Sequence, residues 1–447
     1  MTTVHVVGGG LAGSEAALQL AARGIPVVLH EMRPVRPSPA HRTGNLAELV
    51  CSNSLKSIDP LTASGCLKAE LDLLGCRLLG LARRASVPAG AALAVDPGAF
   101  SALVEAEVAA SCLITLDRTE VEDLRAEAGK IWVICTGPLT TPVLQDRIAT
   151  AAGRPGLHFF DAIAPTVTRE SLDLEVIYRA ARYGRGDADY LNIPLDQESY
   201  ATLVADLLEA ERITVRDFDR ELLFDGCQPI EEIAASGPMT MAFGPLRPVG
   251  LEDPRTGVRP YAVVQLRQEN REGTLFGLVG FQTRIKHPAQ KAILRKLPGL
   301  ARAEFVRLGQ MHRNFYLDTP RVLTPNFRLP ARPDVFFAGQ ITGVEGYVES
   351  IASGLWTALQ VASGLAGREL PPLPPETVCG SLLSGFLFDS TSARFAPMNA
   401  NFGLLPAVAG KHRGRKVRKE AKARRAYDAM TAWVGGLDDT LGGLRKD

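Results

Sequence analysis

Apolar residues fall along this chain in two alternating rhythms, and the switch between them marks the first elements. Val4 to Val7 is a short β-branched run that reads as a strand. Leu11 to Arg23 then repeats its apolar positions at helical spacing until Gly24 ends it, and Pro26 to Glu31 reads as a second strand. Residues 36 to 60 lose both rhythms and are rich in Pro, Ser and Asn, as a loop would be. Helical spacing returns over Ala63 to Leu79 and over Pro97 to Ala110. Lys130 to Cys135 is a buried strand that runs into the turn Thr136-Gly137-Pro138.

From about residue 169 the pattern changes. A charged helical stretch (Tyr200 to Arg212) and Gly/Pro-rich loops (Gly237 to Pro260) precede two strand-like runs, Tyr261 to Gln268 and Thr274 to Phe281. Asn270-Arg271-Glu272-Gly273 closes these into a hairpin. The opening theme then recurs: Val335 to Ala338 is a strand leading into a glycine turn and a helix over Val348 to Ser363. A Pro-rich break at Pro371 to Pro375 precedes C-terminal helices. The expected fold is α/β: a discontinuous Rossmann-type domain (1–168 and 291–447) interrupted by an inserted α+β domain (169–290), which would carry the substrate side.

Composition narrows the class. With 46% hydrophobic and 22% charged residues in 447, the chain reads as a globular protein of two to three domains. No apolar run approaches the ~20 residues of a membrane span, and the N-terminus enters strand and glycine turn with no room for a signal peptide. Seven cysteines without a CxxC pair or a Cys/His ligand spacing suggest free thiols in a reducing compartment and no metal site. A cytoplasmic protein is expected, with no membrane association and no stable protein partner.

Chemistry enters at the glycines. Gly8-x-Gly10-x-x-Gly13 follows a strand and opens a helix, the arrangement that brings backbone up to a pyrophosphate; Gly9, Leu11 and Ala12 fill the same turn. Glu31, at the end of the second strand, stands where a ribose hydroxyl would donate to it. A second glycine-rich strand end, Gly339-Gln340 with Glu345-Gly346-Tyr347 beyond it, and the Thr136-Gly137 turn suit a dinucleotide as long as FAD. A plain βα turn is the alternative at each place. Cys51 and Cys227 lie in polar loops where a thiol can be exposed and activated. The other five cysteines sit in apolar or helical contexts that read as buried. Lys411 to Arg425 holds nine Lys/Arg against one acid, Glu420, so Lys411, Arg413, Arg415, Lys416, Arg418 and Lys419 are candidates for phosphate contacts, or else one face of a solvated helix.

Longer segments resemble a known family. Gly8 to Glu15, His30 to Pro34 (with Arg33) and Leu49 to Lys56 look like the folate- and FAD-dependent tRNA uracil-5-methyltransferases. So do Gly226 to Glu231, Phe243-Gly244-Pro245, Pro260 to Arg267, Val279 to Thr283, Met311 to Asn314 and Met398 to Gly403. The resemblance implies a glutathione-reductase-like FAD fold and methylation of a T-loop uridine at tRNA position 54. The carbon would come from 5,10-methylenetetrahydrofolate, and NADH or NADPH would recharge the flavin. It also implies that both loop cysteines act, with Cys227 attacking carbon 6 of uracil and Cys51 lying at the flavin. His312 would stack on the folate pterin.

Some positions depart from the family. Cys66 and Cys76 stand where Leu and Ser are usual, Asp96-Pro97 replaces Asp-Arg, and His287-Pro288-Ala289 replaces Trp-Gly-Glu. The related wobble-uridine proteins of the glucose-inhibited division protein A type are the alternative. They carry Cys-Asn-Pro where this chain has Cys51-Ser52-Asn53, and a long C-terminal helical domain. A generic flavin oxidoreductase is the remaining alternative, and it would need neither the loop cysteines nor the basic stretch.

Overall fold

The computed structural model describes residues 2–184, 187–213, 228–391, 395–410 and 414–437. Its first sheet is built from the two halves of the chain. Strands Arg328–Leu329, Arg332–Phe337, Lys130–Ile134, Thr3–Val7, Val27–His30 and Ile114–Asp117 lie in that order. All neighbours are parallel except the antiparallel pair at the Arg328 edge. Parallel strands buried on both faces need continuous apolar runs, and Val4, Val6, Val133, Ile134, Val335 and Phe337 are fully buried. Two helices pack on this sheet and on each other, Leu11–Ala21 and Tyr347–Leu365. Each follows one of the glycine turns.

The second sheet is antiparallel, with strands Tyr178–Arg179, Leu191–Leu195, Ala262–Gln268, Leu275–Leu278, Thr166–Thr168 and Phe305–Arg307 in order. It has its own core, which includes Ile193, Leu203, Met241, Val264, Phe276 and Leu300. Strands at 166–168 and 305–307 belong to this sheet, so the second core draws on residues either side of 169–290. A two-stranded ribbon, Leu157–Ala162 against Met311–Tyr316, carries the chain out of the first sheet and back.

Local differences have local causes. The helix expected over 63–79 is two helices, Ala63–Leu73 and Arg77–Arg84, because Gly75 takes φ +74°, a left-handed value that stops the first. The hairpin forms with its strands at Ala262–Gln268 and Leu275–Leu278. The basic stretch lies on one long helix, Arg415–Gly436. Its buried Ala423, Ala426 and Met430 join the first core, and it packs on Ala63–Leu73. No helix among the described residues is long and apolar enough to cross a membrane.

Candidate functional site

Both glycine turns open onto one cleft of about 1080 Å³. Gly8, Gly10, Leu11, Ala12, Glu31, Arg33, Thr136, Gly137, Gly339, Gln340 and Tyr347 line it. The glycines divide by what surrounds them. A Cβ on Gly8 would lie 2.5 Å from the Cys135 carbonyl oxygen, and one on Gly13 1.9 Å from that of Gly8, so Gly8 lets the turn lie against the end of the neighbouring strand and Gly13 lets the helix close on the turn. A Cβ on Gly10 or Gly137 would meet no protein atom within 4 Å. These two leave backbone bare toward the cleft. No side chain caps the helix that begins at Leu11, so its unpaired N–H groups and positive end are free for an anion. That combination fits the pyrophosphate of a dinucleotide.

Glu31 is more occupied than the sequence suggests. Its Oε2 accepts from the Gly9 N–H and from Arg33 Nη2, both at 2.9 Å. Its Oε1 accepts from the Arg33 N–H and Nε at 3.0 and 2.9 Å. Burial works to raise this carboxyl, but the Arg33 hydrogen bonds and charge, with the Gly9 amide, outweigh it and hold it below its ordinary range. Arg33 also donates to Glu48 Oε2 at 2.9 Å. A ribose hydroxyl would therefore join a formed Glu31–Arg33–Glu48 network.

The cleft continues past Val50, Pro138, Leu139, Gln340, Tyr347 and Ser350 into a second cavity of about 1330 Å³ between the two sheets. Cys51 lies there. The Tyr347 hydroxyl accepts from the N–H groups of Cys51 and Ser52 at 2.8 and 3.1 Å. From the second sheet, Arg307 donates to the carbonyls of Val50 and Cys51 at 3.1 and 3.4 Å. Burial, then the neighbouring Cys51, push the Tyr347 hydroxyl above its ordinary value, so it stays neutral. Asn53 completes the fastening, donating to Gln268 O at 3.0 Å and accepting from Arg267 Nε at 2.8 Å. The cysteine loop is thus a seam between the sheets.

His312 also lines the second cavity, directly across the ribbon from Asp161. Burial lowers its imidazole pKa, while a hydrogen bond to the Pro39 backbone opposes this; His312 is held neutral at physiological pH. Glu345 and Gly346 line the same cavity, and Gln340 Nε2 donates to Glu345 at 2.5 Å. Burial and the nearby Asp161 push the Glu345 carboxyl up to about 8. Behind Gly346, Lys56 pairs with the buried Glu349 at 2.8 Å.

Cys227, Lys411 and Arg413 lie outside the described residues. The chain beside the first of these resumes at the cavity wall, where the Ile230 N–H donates to the carbonyl of Gln282, a lining residue. Cys66, Cys135 and Cys379 are buried as expected, and burial pushes their thiols up. Cys76 is half-buried, its thiol raised by burial beside Glu15. Cys112, expected to be buried, is exposed, because it falls just past the helix Pro97–Ala109 rather than within it. In the basic stretch Arg415 opens the helix, Lys416 and Arg418 are exposed, and Lys419 is half-buried. Lys422 and Arg425 point inward instead, donating to the carbonyls of Phe402, Leu405, Pro406 and Ala407. Arg307, Asp161, Asn53, Glu48 and Lys56 were not anticipated as parts of the site.

Known proteins resemble this chain in sequence and in fold. The family model described as "Glucose inhibited division protein A" matches residues 3–369. A protein of Desulforudis audaxviator named "Methylenetetrahydrofolate--tRNA-(uracil-5-)-methyltransferase TrmFO" is 49% identical over 432 residues, covering 96% of this chain and 98% of its own. Its namesake in Anaeromyxobacter dehalogenans is 50% identical over 444 residues, covering 98% and 97%. Among solved structures, Aquifex aeolicus GidA in its form II crystal superposes with a TM-score of 0.70 at 15% identity, over 98% of this chain and 74% of that one. At that identity the likeness speaks for the fold.

Proposed function

This chain belongs to the glucose inhibited division protein A family, with the methylenetetrahydrofolate–tRNA-(uracil-5-)-methyltransferases as full-length relatives, and we propose that it methylates carbon 5 of the T-loop uridine at position 54 of tRNA. One observation carries the reading. A glycine-lined cleft suited to FAD opens directly into a cavity that holds a fastened cysteine, a neutral histidine and a carboxylic acid.

Carbon 5 of uracil is a poor nucleophile. Addition of a thiolate at carbon 6 turns carbon 5 into an enolate carbon able to attack the methylene of the folate co-substrate. We assign that addition to Cys227. Loss of the carbon 5 proton and departure of tetrahydrofolate, as the bond from its nitrogen to the transferred carbon breaks, then leave an exocyclic methylene on a ring still bound to the thiolate at carbon 6. Gly8, Gly10, Gly137 and Gly339 would hold FAD, whose reduced form, recharged by NADH or NADPH, would supply the hydride that makes this methylene a methyl group as the thiolate leaves carbon 6. Cys51 is assigned to the flavin side of the cavity, its peptide fixed between Tyr347 and Arg307. His312, kept neutral by burial, offers an uncharged ring face on which a pterin can stack. Exposed cations on the helix Arg415–Gly436 suit tRNA phosphates.

The test is incubation with unmodified tRNA, NADPH and folate labelled in the methylene carbon. Label should appear in 5-methyluridine of the T loop. Label in a wobble uridine would favour the alternative family activity, and none in RNA would sink both. Cys51→Ala and Cys227→Ala should each lose at least about a hundredfold in methylation, some 2.7 kcal/mol of transition-state stabilisation. Full activity in either clears that thiol.

A further inference from the structure

The segment Phe243-Gly244-Pro245 has no part in the site described so far. Phe243 is nevertheless the one phenylalanine among the described residues whose side chain is exposed, at 76%. It is not on a loose end. Residues Thr240–Phe243 form a short helix whose Met241 and Ala242 are buried in the second core. The Ala242 N–H donates to the Tyr200 hydroxyl at 3.3 Å. Beyond the ring, Leu246 is fully buried, its N–H bonded to Met241 O at 2.8 Å and its carbonyl accepting from Val263 at 3.0 Å. The backbone on both sides is pinned, and the ring is held out in water.

Its position is set by Pro245. A Cβ on Gly280 would lie 2.6 Å from the Pro245 Cβ, so Pro245 backs onto Gly280, which lines the second cavity. Two residues of chain reach at most about 7 Å, which places Phe243 beside that cavity. Exposed Arg247 follows four residues on, and Tyr183, 55% exposed, packs on Gly250 of the same loop. Among the described residues, the ring has Gly244 and Arg247 as its exposed neighbours along the chain rather than further large apolar side chains, unlike the contiguous apolar patch of a protein-docking face. It does suit an unstacked nucleobase, which finds in an aromatic face a partner indifferent to sequence, with a cation nearby for phosphate.

We propose that Phe243 is a stacking platform for a base of the tRNA substrate next to the extruded uridine, at the mouth of the second cavity. This rests on the functional reading above and adds the surface that takes the neighbouring nucleotide. A base extruded from its stack strips stacking from its neighbours, and the ring would replace it.

The test uses the full-length flavoprotein and unmodified tRNA. Phe243→Ala should raise the tRNA Kd, and the KM for tRNA with it, by roughly 5- to 150-fold, the range for loss of one base–aromatic stack. Phe243→Tyr and Phe243→Trp should stay within about threefold of wild type. NADPH oxidation without tRNA, the flavin spectrum and Tm should not change. An alanine variant that binds tRNA like wild type overturns the proposal. So does an equal loss in the aromatic variants, or a change confined to self-association. Failure of the wild-type protein to methylate tRNA would instead undo the functional reading, and this proposal with it.

Discussion

The smallest residues carry the tightest constraints. Ala12 sits in a pinch between the two halves of the chain: a Cβ on Gly339 would lie 2.8 Å from its Cβ, and one on Gly354 2.3 Å from its carbonyl oxygen. At the opposite extreme of chemistry, Glu345 keeps a proton that an exposed glutamate would lose. With its carboxyl raised from 4.5 to about 8, the folded chain binds more protons than the unfolded one between those values. Its contribution to stability is therefore full below about pH 4.5 and is lost as pH rises through 8. Glu345→Gln should lose less stability than wild type between pH 5.5 and 8.5 in urea unfolding. Equal losses would show that the residue ionises freely. Glu70, buried and raised to about 7, has the same sign and remains in the variant, so the slope should shrink rather than vanish.

Two helices matter most at the scale of elements, because together they seat the cleft. Leu11–Ala21 and Tyr347–Leu365 approach so closely at Gly354 that a methyl group there meets Ala12 backbone, which cannot step aside as a flexible side chain would. Gly354→Ala should cost about 1–3 kcal/mol of stability and loosen flavin retention, read as a lowered Tm and faster release of yellow colour on dilution. An unchanged Tm would mean that the helices slide apart without penalty. Much of this level was legible beforehand. Strand, glycine turn and helix are local patterns, and Gly8-x-Gly10-x-x-Gly13 announces all three within ten residues. The break at Gly75 was not legible, because the apolar spacing runs on through it and only the left-handed backbone reveals the stop. The inward turn of Lys422 and Arg425 was equally hidden, since their carbonyl partners lie 17 to 20 residues away.

Across the whole molecule, the cavity exists only because two sheets meet. Its cysteine loop is held from one side by Tyr347 of the helix Tyr347–Leu365 and from the other by Arg307 of the second sheet. We propose that the exposed part of the basic helix adds attraction for tRNA phosphates. Replacing Lys416, Arg418 and Lys419 together with Glu should weaken tRNA binding and make the dependence of log Kd on log salt shallower by about 2 to 3, one unit or slightly less for each phosphate no longer neutralised. An unchanged slope would move the RNA platform elsewhere, and the surface of the second core around Phe243 would then be the place to look.

The chain's own order of residues determined the elements, the glycine turns, the two loop cysteines and the basic stretch, because each depends on neighbours a few positions apart. Tertiary structure alone decided what those elements share. Arg307 finds the Cys51 carbonyl across 256 residues, Asp161 faces His312 only through the register of a ribbon, and Glu345 holds its proton only because burial and Asp161 oppose its charge. No spacing rule encodes such meetings, since they depend on where two separate cores come to rest against each other. Local propensity writes the parts, and packing over long separations selects which of them meet in one cavity.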